Sequence, residues 1–410
     1  MQMSILIDLE KNRAELRALA GSDGLWSEFI FEGRHFPIIL SEFWTSRQRQ
    51  ASSLHEISYR ACFKPQLPRF FIERLTSPKD IVYDPFGGRG TTAIEAAMLG
   101  RRVISNDVNP LSQMLARPRL HPSTIDEVAK RLSEIPKQCN EQPDLDMFFH
   151  PNTEAEIRAL RRWFLEREGA NSFDGVDGWI RMVATNRLTG HSPGFFSVYT
   201  LPPNQAVSRE KQAVLNSKRN QSPEYRDTHA LILKKTRQLL AGIKAEELAN
   251  IRVASSSAMF LDCDARATGE IPSGSVSLTV TSPPFLDVVQ YHNDNWMRCW
   301  FCGLDAHSIG ANITMARTRE SWAEIMGSVL EELCRIAMPG GHVAFEVGEI
   351  KKGRIKLEEI ILPLGMRAGL EPLGIIINSQ TFSKTANIWG VKNNAEGTNT
   401  NRIVLFRKNA

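Results

Sequence analysis

The chain has 410 residues and a mass of 46.1 kDa, with 42% hydrophobic and 23% charged residues. This composition excludes a mainly disordered chain, a collagen-like chain and a coiled coil, and the length leaves room for a large domain with an insertion. The formal net charge of +4 permits a polyanionic partner without requiring one.

The six cysteines are too few and too scattered to form a disulfide scaffold. Cys299 and Cys302 form a lone CxxC pair with no second pair beside it, so buried thiols are expected and no metal. The N-terminus lacks the pattern of a signal peptide, and no apolar run approaches about 18 residues. We therefore expect a cytoplasmic protein.

Apolar spacing predicts a helix over residues 4–20. Residues 81–83 read as a short buried strand, followed by a glycine turn and by a helix that ends at Gly100. A second strand covers residues 102–105, and Asp107 lies just past its end. The pattern predicts a strand–turn–helix–strand unit of about 30 residues.

Residues from about 121 to 250 are largely helical in pattern, and the alternation of strands and helices returns from residue 258. The chain is therefore predicted to be an α/β protein with a doubly wound, mostly parallel sheet, interrupted by a helical insertion. The predicted catalytic domain covers 1–120 and 255–410, and the insertion covers 121–254.

The segment DPFGGRG, residues 84–90, is predicted at the carboxyl end of the first strand, where a doubly wound sheet binds its ligand. Gly88 and Gly90 permit positive φ and a close approach of the backbone to a ligand. Asp107 is placed to accept hydrogen bonds from ribose hydroxyls. Taken alone, the loop also fits the dinucleotide pattern G-x-G-x-x-A or a plain turn, whereas a P-loop is excluded.

A second motif, TSPPF, follows an apolar strand at residues 281–285. Its two prolines fix the backbone and remove two N–H donors, so the turn presents oxygen acceptors. The hydroxyl of Ser282, a carbonyl and the ring of Phe285 suit a planar base with an exocyclic amine. A proline turn that only ends a strand is the alternative.

Together, DPFGGRGTT and TSPPF resemble the motifs of S-adenosylmethionine-dependent DNA amino-methyltransferases. The resemblance implies a seven-stranded Rossmann-like sheet and S-adenosylmethionine as cofactor. Lys-Pro stands at 64–65 where the family usually has His-Pro, and Cys263 replaces a usual Gly. The resemblance implies the following cofactor-binding residues: Lys64, Asp84, Pro85, Phe86, Gly88, Gly90, Thr91, Asp107, Asp264 and Ala265.

The resemblance also implies methyl transfer to the N4 amine of cytosine in a flipped base. Ser282 and Pro283 would accept from the amine, Pro284 completes the rigid turn, and Phe285 would stack on the base. Adenine N6 is the main alternative acceptor. An RNA guanine-N2 methyltransferase, an inactive nucleic-acid-binding homologue and an NAD-dependent oxidoreductase are the others. The chain has no Pro-Cys dipeptide, which argues against cytosine-C5 methylation.

In this family a long insertion between the two motifs usually holds the target-recognition region. Double-stranded DNA is the expected partner, with a companion restriction endonuclease possible, no membrane, and a nucleoid-associated location. The alternative is that the aromatic residues pack the insertion core and the charges face water. The candidate DNA-binding residues are Phe195, Tyr199, Arg209, Lys211, Lys218, Arg219 and Tyr291.

Overall fold

A computed structural model describes most of the chain. The described residues are 2–21, 23–44, 51–59, 62–139, 141, 144–200, 206–284, 291–313, 316, 318–347, 349–350, 355–379 and 400–409.

The N-terminal region contributes a helix and a hairpin to the sheet. The helix was predicted from residue 4, whereas the hairpin was not foreseen. The hairpin strands pair antiparallel, from Leu25 opposite Leu40 to Phe31 opposite Arg34. The elements are α1 (Gln2–Ala20), β1 (Leu25–Phe31), β2 (Arg34–Ser41), a short 3-10 helix (Ser53–His55) and α2 (Gln66–Leu75).

The predicted strand–turn–helix–strand unit is present. Asn109 caps the helix that follows it, because its side chain accepts from the Leu111 N–H and Pro110 needs no donor partner in the first turn. The elements are β3 (Ile81–Asp84), α3 (Thr91–Met98), β4 (Arg102–Asn106) and α4 (Pro110–Leu120).

The insertion is helical in its described part, as its sequence pattern predicted. Capping boxes begin two of its helices, with Thr124 and Glu127 at one and Asp174 and Asp177 at the other. Its helices are α5 (Ile125–Glu134), α6 (Pro151–Gly169), α7 (Gly175–Thr185), α8 (Arg209–Arg219), α9 (Thr228–Leu240) and α10 (Ala245–Ser255).

The remaining strands and helices again alternate, in line with the predicted return of the α/β pattern. They are β5 (Met259–Leu261), β6 (Val276–Thr281), α11 (Tyr291–Phe301), α12 (Ala306–Asn312), α13 (Arg319–Ile336), β7 (Ala337–Val347), β8 (Glu349–Ile350), β9 (Ile355–Lys356), α14 (Glu358–Arg367), β10 (Leu370–Ser379) and β11 (Thr400–Lys408).

The main sheet has nine strands among the described residues, in the order β1-β2-β10-β11-β7-β6-β3-β4-β5. Strands β5, β4, β3, β6 and β7 are mutually parallel, and β11 runs antiparallel to both β7 and β10. The predicted α/β class with a mostly parallel sheet is confirmed. The expected count of seven strands is wrong, because β2 pairs parallel with β10 and so adds the hairpin to the sheet edge.

Alternate residues of each strand face opposite sides of the sheet and enter two hydrophobic cores. Val82 and Val103 belong to one core, which also contains Trp179 and Ile180 of the insertion helix α7. Tyr83 and the apolar faces of α13 and α14 belong to the other core. The insertion therefore packs against one face of the sheet and shares its core.

In the described part of the chain, no helix combines the length and the apolar character that a membrane crossing requires.

Candidate active site

The loop after β3 is the first component of the site. Asp84 ends the strand and is 2% exposed, and its Oδ1 accepts a hydrogen bond of 3.1 Å from the Phe86 N–H. The Gly87 N–H donates to the Asn106 carbonyl at 2.8 Å, which ties the loop to the neighbouring strand β4. Burial raises the pKa of Asp84 to about 6. Pro85 and Phe86 thus lie in a loop that is hydrogen-bonded to Asp84 of β3 and to Asn106 of β4.

Gly88 and Asp107 meet across the ends of β3 and β4. Gly88 has φ +52°, which favours glycine. Its N–H donates to Asp107 Oδ2 at 2.8 Å, and the Asn109 N–H donates to Oδ1 at 3.0 Å. Burial raises the pKa of Asp107 to about 6. Each carboxylate oxygen keeps a lone pair that can accept from a neighbouring ligand hydroxyl.

Gly90 joins the loop to α3 with φ +76°. A Cβ atom there would lie 2.5 Å from the Cβ of Ala116, so glycine lets α4 approach the loop closely. The next residue, Thr91, is 3% exposed, and its hydroxyl accepts from Arg89 Nε at 3.1 Å. Gly90 and Thr91 therefore fix the loop at the point where it enters α3.

Tyr59 forms a wall of this loop that the sequence analysis did not identify. Its hydroxyl accepts a hydrogen bond of 3.0 Å from Asn109 Nδ2. Its ring lies 3.5 Å from the point where a Cβ on Gly88 would stand. Lys64 is exposed just before α2, and partial desolvation lowers its pKa. Tyr59 lies in the aromatic and basic N-terminal segment, but the spacing of that segment does not single it out.

The loop after β5 lies beside the same strand ends. Asn106 Nδ2 donates to the carbonyls of Pro85 and Cys263 at 3.3 and 2.9 Å, so one side chain holds both loops. The predicted residue Asp264 is exposed, and Arg266 Nε donates to its carboxylate at 3.0 Å. This ion pair lowers the pKa of Asp264. Ala265 is buried, and cofactor contacts of Asp264 and Ala265 stay predictions.

The TSPPF turn begins beside Asp84. Thr281 ends β6, and its hydroxyl donates to Asp84 Oδ1 at 2.7 Å. Ser282 is half-buried, Pro283 is buried and Pro284 is exposed. The Pro284 carbonyl accepts from Trp322 Nε1 at 3.0 Å. Phe285 and the side chain of Tyr291 lie outside the described residues, so their predicted base contacts stay predictions.

A buried carboxylate at the end of β7 contacts the turn, and the sequence analysis did not identify it. Glu346 is 6% exposed and accepts a hydrogen bond from the Ser282 hydroxyl. Asn401 Nδ2 also donates to Glu346, at 3.1 Å to Oε1. Burial raises the pKa of Glu346 and outweighs these two hydrogen bonds, which lower it. A glutamate inside the apolar run HVAFEV was the available signal.

The candidate DNA-binding residues are spread along the insertion. Arg209 forms an ion pair of 2.7 Å with Asp144, whereas Lys211 and Lys218 are exposed on α8. Phe195 is 8% exposed, so its ring is largely covered by protein. The guanidinium of Arg219 lies 3.8 Å from the ring centroid of Tyr199. DNA contacts of these residues stay predictions.

Cys299 and Cys302 are buried thiols, as expected for the lone CxxC pair. Burial raises the pKa of Cys302, whose sulfur lies 3.4 Å from the Thr185 hydroxyl. Within the described ranges, no group of three or more His, Cys, Asp or Glu side chains is arranged to hold a metal ion.

Comparisons with solved structures add little. A Thermus thermophilus protein solved in complex with S-adenosyl-L-methionine is 23% identical, with a TM-score of 0.22, and the match covers 36% of this chain and 51% of that one. TrmN from Thermus thermophilus is 13% identical, with a TM-score of 0.32, covering 87% of this chain and 51% of that one. Both scores are too low to infer function.

Sequence comparisons are more informative. Residues 28–114 match the model of the N6/N4 DNA methylase family. The type II methyltransferase M.MvaI of Kocuria varians is 34% identical over 126 residues, which is 30% of this chain and 25% of that protein. M.MjaII of Methanocaldococcus jannaschii is 30% identical over 97 residues, and M.PvuII of Proteus hauseri is 43% identical over 53 residues. These two matches cover 23% and 13% of this chain.

Each match thus covers a quarter or less of the relative's length: 25%, 18% and 16%. The loop after β3 lies inside the matched family segment, and the TSPPF turn is hydrogen-bonded to that loop through Thr281. Over these segments the chain is similar to the N6/N4 DNA methylase family and to type II methyltransferases.

Proposed function

We propose that this protein transfers a methyl group from S-adenosylmethionine to the exocyclic N4 amine of a cytosine flipped out of double-stranded DNA. The observation that carries the proposal is the hydrogen bond from Thr281 to Asp84, 2.7 Å long. It joins the two motifs at the ends of the adjacent parallel strands β6 and β3. A methyl donor at one loop and an amine at the other would therefore lie side by side.

The loop after β3 fits the proposed cofactor. Gly88 leaves a cradle that a Cβ would fill, and the Asp107 carboxylate stands beside it as an acceptor for a hydroxyl pair. Asn106 fixes the neighbouring loop at Cys263. When bound, S-adenosylmethionine supplies an activated methyl group on a sulfonium, so no covalent enzyme intermediate is needed.

Ser282 is the residue we expect to contact the amine. Its O–H is donated to Glu346, so the lone pairs of its oxygen remain available as acceptors. A hydrogen bond from the amine N–H to Ser282 would direct the nitrogen lone pair toward the methyl group. The buried Glu346 would stabilise the positive charge that develops on the amine nitrogen during methylation.

The acceptor base is the finer part of the proposal. Ser-Pro-Pro-Phe resembles the catalytic turn of cytosine-N4 enzymes, whereas adenine N6 is the alternative within the same family. The names of the type II relatives fit both. The insertion is proposed as the target-recognition region. A companion restriction endonuclease and an association with the nucleoid would follow from a type II role.

The proposal is tested by expression in a host without DNA methylation, followed by base-resolved sequencing of the host DNA. We expect N4-methylcytosine in one sequence context. N6-methyladenine would replace the cytosine assignment, and no modified base with an expressed, folded protein would overturn the function.

A variant series assigns the catalytic turn. Ser282→Ala and Glu346→Gln should each lower methyl incorporation by about 100-fold or more, because the first removes the acceptor for the amine and the second removes the negative charge near it. Ser133→Ala is the matched control, since this hydroxyl is exposed on α5 and donates only to the Lys130 carbonyl. Unchanged incorporation in Ser282→Ala would contradict the role of the turn.

A further inference from the structure

The arginines of the insertion fall into two groups. Six of them form ion pairs with carboxylates: Arg131, Arg158, Arg162, Arg167, Arg181 and Arg209. The remaining arginines have no carboxylate within ion-pair distance among the described residues, and they include Arg187, Arg219 and Arg226. All three lie against one loop, residues 190–199, which we call the arginine-lined loop.

Each of these arginines contacts the loop in a defined way. The guanidinium of Arg187 lies 4.0 Å from the ring centroid of Phe195, and that of Arg219 lies 3.8 Å from the ring of Tyr199. Arg226 Nη1 donates to the carbonyls of Ser192 and Phe195, both at 3.2 Å. Two cations are therefore stacked on aromatic faces, and the third is held by the loop backbone.

The arginine-lined loop is held in one shape by its own contacts. The Thr200 N–H donates to the Gly190 carbonyl at 2.9 Å, and the Phe196 N–H donates to the Arg187 carbonyl at 2.7 Å. A Cβ on Gly190 would lie 2.3 Å from the Phe195 ring, so the ring rests directly on the backbone. The loop is thus a preorganised support for the cations.

Arg187 has donors to spare. Within the described part of the chain, its one side-chain hydrogen bond runs from Nε to the Asn186 carbonyl at 3.0 Å, and neither Nη group is used. Burial lowers its pKa to about 10, so it stays charged at neutral pH. Its Nη groups are therefore donors from which an anion could accept hydrogen bonds.

The arginine-lined loop lies close to the loop after β3. Asn186, next to Arg187, accepts from the Ser58 N–H at 3.1 Å. The following residue, Tyr59, contacts Asn109 and packs beside Gly88. An anion at Arg187 would therefore be bound on the side of the protein where the proposed methyl transfer takes place.

We propose that Arg187, Arg219 and Arg226 bind backbone phosphates of the DNA strand that carries the target base, an inference that rests on the proposed function. A guanidinium offers a planar pair of N–H donors that matches a phosphate, and stacking fixes its plane. Phe195 and Tyr199 then act as supports for the cations, and their rings contact no base. This reverses the expectation that these aromatics read the sequence.

The test measures binding of a short fluorescent DNA duplex of random sequence by anisotropy, over a series of salt concentrations. Each single change to Gln should reduce the magnitude of the slope of log affinity against log salt by about 1, and the triple variant should reduce it by about 3. Arg187→Lys should restore only part of the affinity, because lysine keeps the charge and loses the stacked plane.

A control triple variant replaces Arg102, Arg162 and Arg252 by Gln. These arginines are exposed elsewhere on the surface, and their replacement removes the same net charge. The slope of log affinity for the duplex against log salt should therefore hardly change. Circular dichroism melting and binding of S-adenosylmethionine show whether each variant is folded. Arg226 also donates hydrogen bonds to the loop, so Arg226→Gln could lower the melting temperature. In that case Arg226→Lys replaces it in the binding assay.

An unchanged salt slope in the folded triple variant would overturn the proposal, as would an equal loss in the control triple. The proposal would also be overturned if the triple variant lost binding to single-stranded RNA but kept its binding to the DNA duplex. Failure of the proposed function would look different, since the wild-type protein would then neither bind S-adenosylmethionine nor methylate DNA.

Discussion

The Thr281 hydroxyl donates a hydrogen bond of 2.7 Å to Asp84 Oδ1, although 197 residues of sequence separate them. Thr281 is fully buried and Asp84 is 2% exposed, so water does not compete for this bond. Asp84 Oδ1 also accepts from the Phe86 N–H. A single carboxylate oxygen therefore fixes both the loop after β3 and the start of the Ser-Pro-Pro turn.

Thr281→Val should lower the free energy of unfolding by about 1–3 kcal/mol, because it leaves the buried carboxylate without its hydroxyl donor. It should also raise the pKa of Asp84 further, since that hydrogen bond lowers it. Methyl incorporation should fall because the two motifs are no longer held in fixed positions relative to each other. Urea unfolding and an incorporation assay measure the two effects.

Thr279→Val is the matched control for this variant. Thr279 lies two residues earlier on the same strand face and is 1% exposed, and its hydroxyl has no hydrogen-bond partner among the described residues. Valine should therefore be neutral or stabilising there, since no bond is lost. Equal destabilisation by Thr279→Val and Thr281→Val would show that the bond to Asp84 contributes nothing.

Gly90→Ala should destabilise the protein by about 2–4 kcal/mol, because the added Cβ would meet Ala116 at 2.5 Å and the residue has φ +76°. Gly33→Ala separates these two causes, since Gly33 has φ +74° but nothing within 4 Å of its added Cβ. It should cost only about 1–2 kcal/mol. Similar melting temperatures for both variants would argue against close packing of α4 on the loop.

Asp84 should make stability depend on pH. Its pKa is raised from 3.8 to about 6, so the folded state binds the proton more tightly than the unfolded state. Stability is then highest below about pH 4 for this group and is lost as the pH rises through about 6, by up to about 3 kcal/mol. Asp84→Asn should remove this fall. Urea unfolding at several pH values checks it, and a difference from wild type that is constant with pH would contradict it.

Asp107 should make cofactor affinity depend on pH. Its pKa is raised to about 6, and the charged carboxylate is the stronger acceptor for ribose hydroxyls. Affinity for S-adenosylmethionine should therefore weaken by about fivefold between pH 7.5 and pH 5. Calorimetric titration of wild type and Asp107→Asn tests this. The variant should bind weakly at both pH values, and an unchanged pH dependence in it would exclude Asp107 as the cause.

The parts of the site that the sequence predicted are local in sequence. Asp84, Gly88 and Asp107 lie in one strand–turn–helix–strand unit, whose glycines and apolar runs have few other structural solutions. The insertion helices were predictable for the same reason, from apolar periodicity and capping residues such as Thr124.

The parts that were missed depend on contacts between distant segments. Glu346 meets Ser282 because β6 and β7 are neighbours, and Asn401 reaches Glu346 because β11 pairs with β7. The hairpin of β1 and β2 joins the sheet through β10, near the other end of the chain. Strand order sets these contacts, and no short pattern in one sequence encodes it.

The pairing of β2 with β10 also constrains when the protein can finish folding. Asn12 in α1 donates to the Pro372 carbonyl, 360 residues later, and Asn378 accepts from the Phe43 N–H across 335 residues. During synthesis, Phe43 beside the hairpin emerges 335 residues before its partner Asn378. Contacts between such distant segments form slowly, so the apolar faces of the hairpin stay exposed to chaperones or to aggregation until β10 has been synthesised.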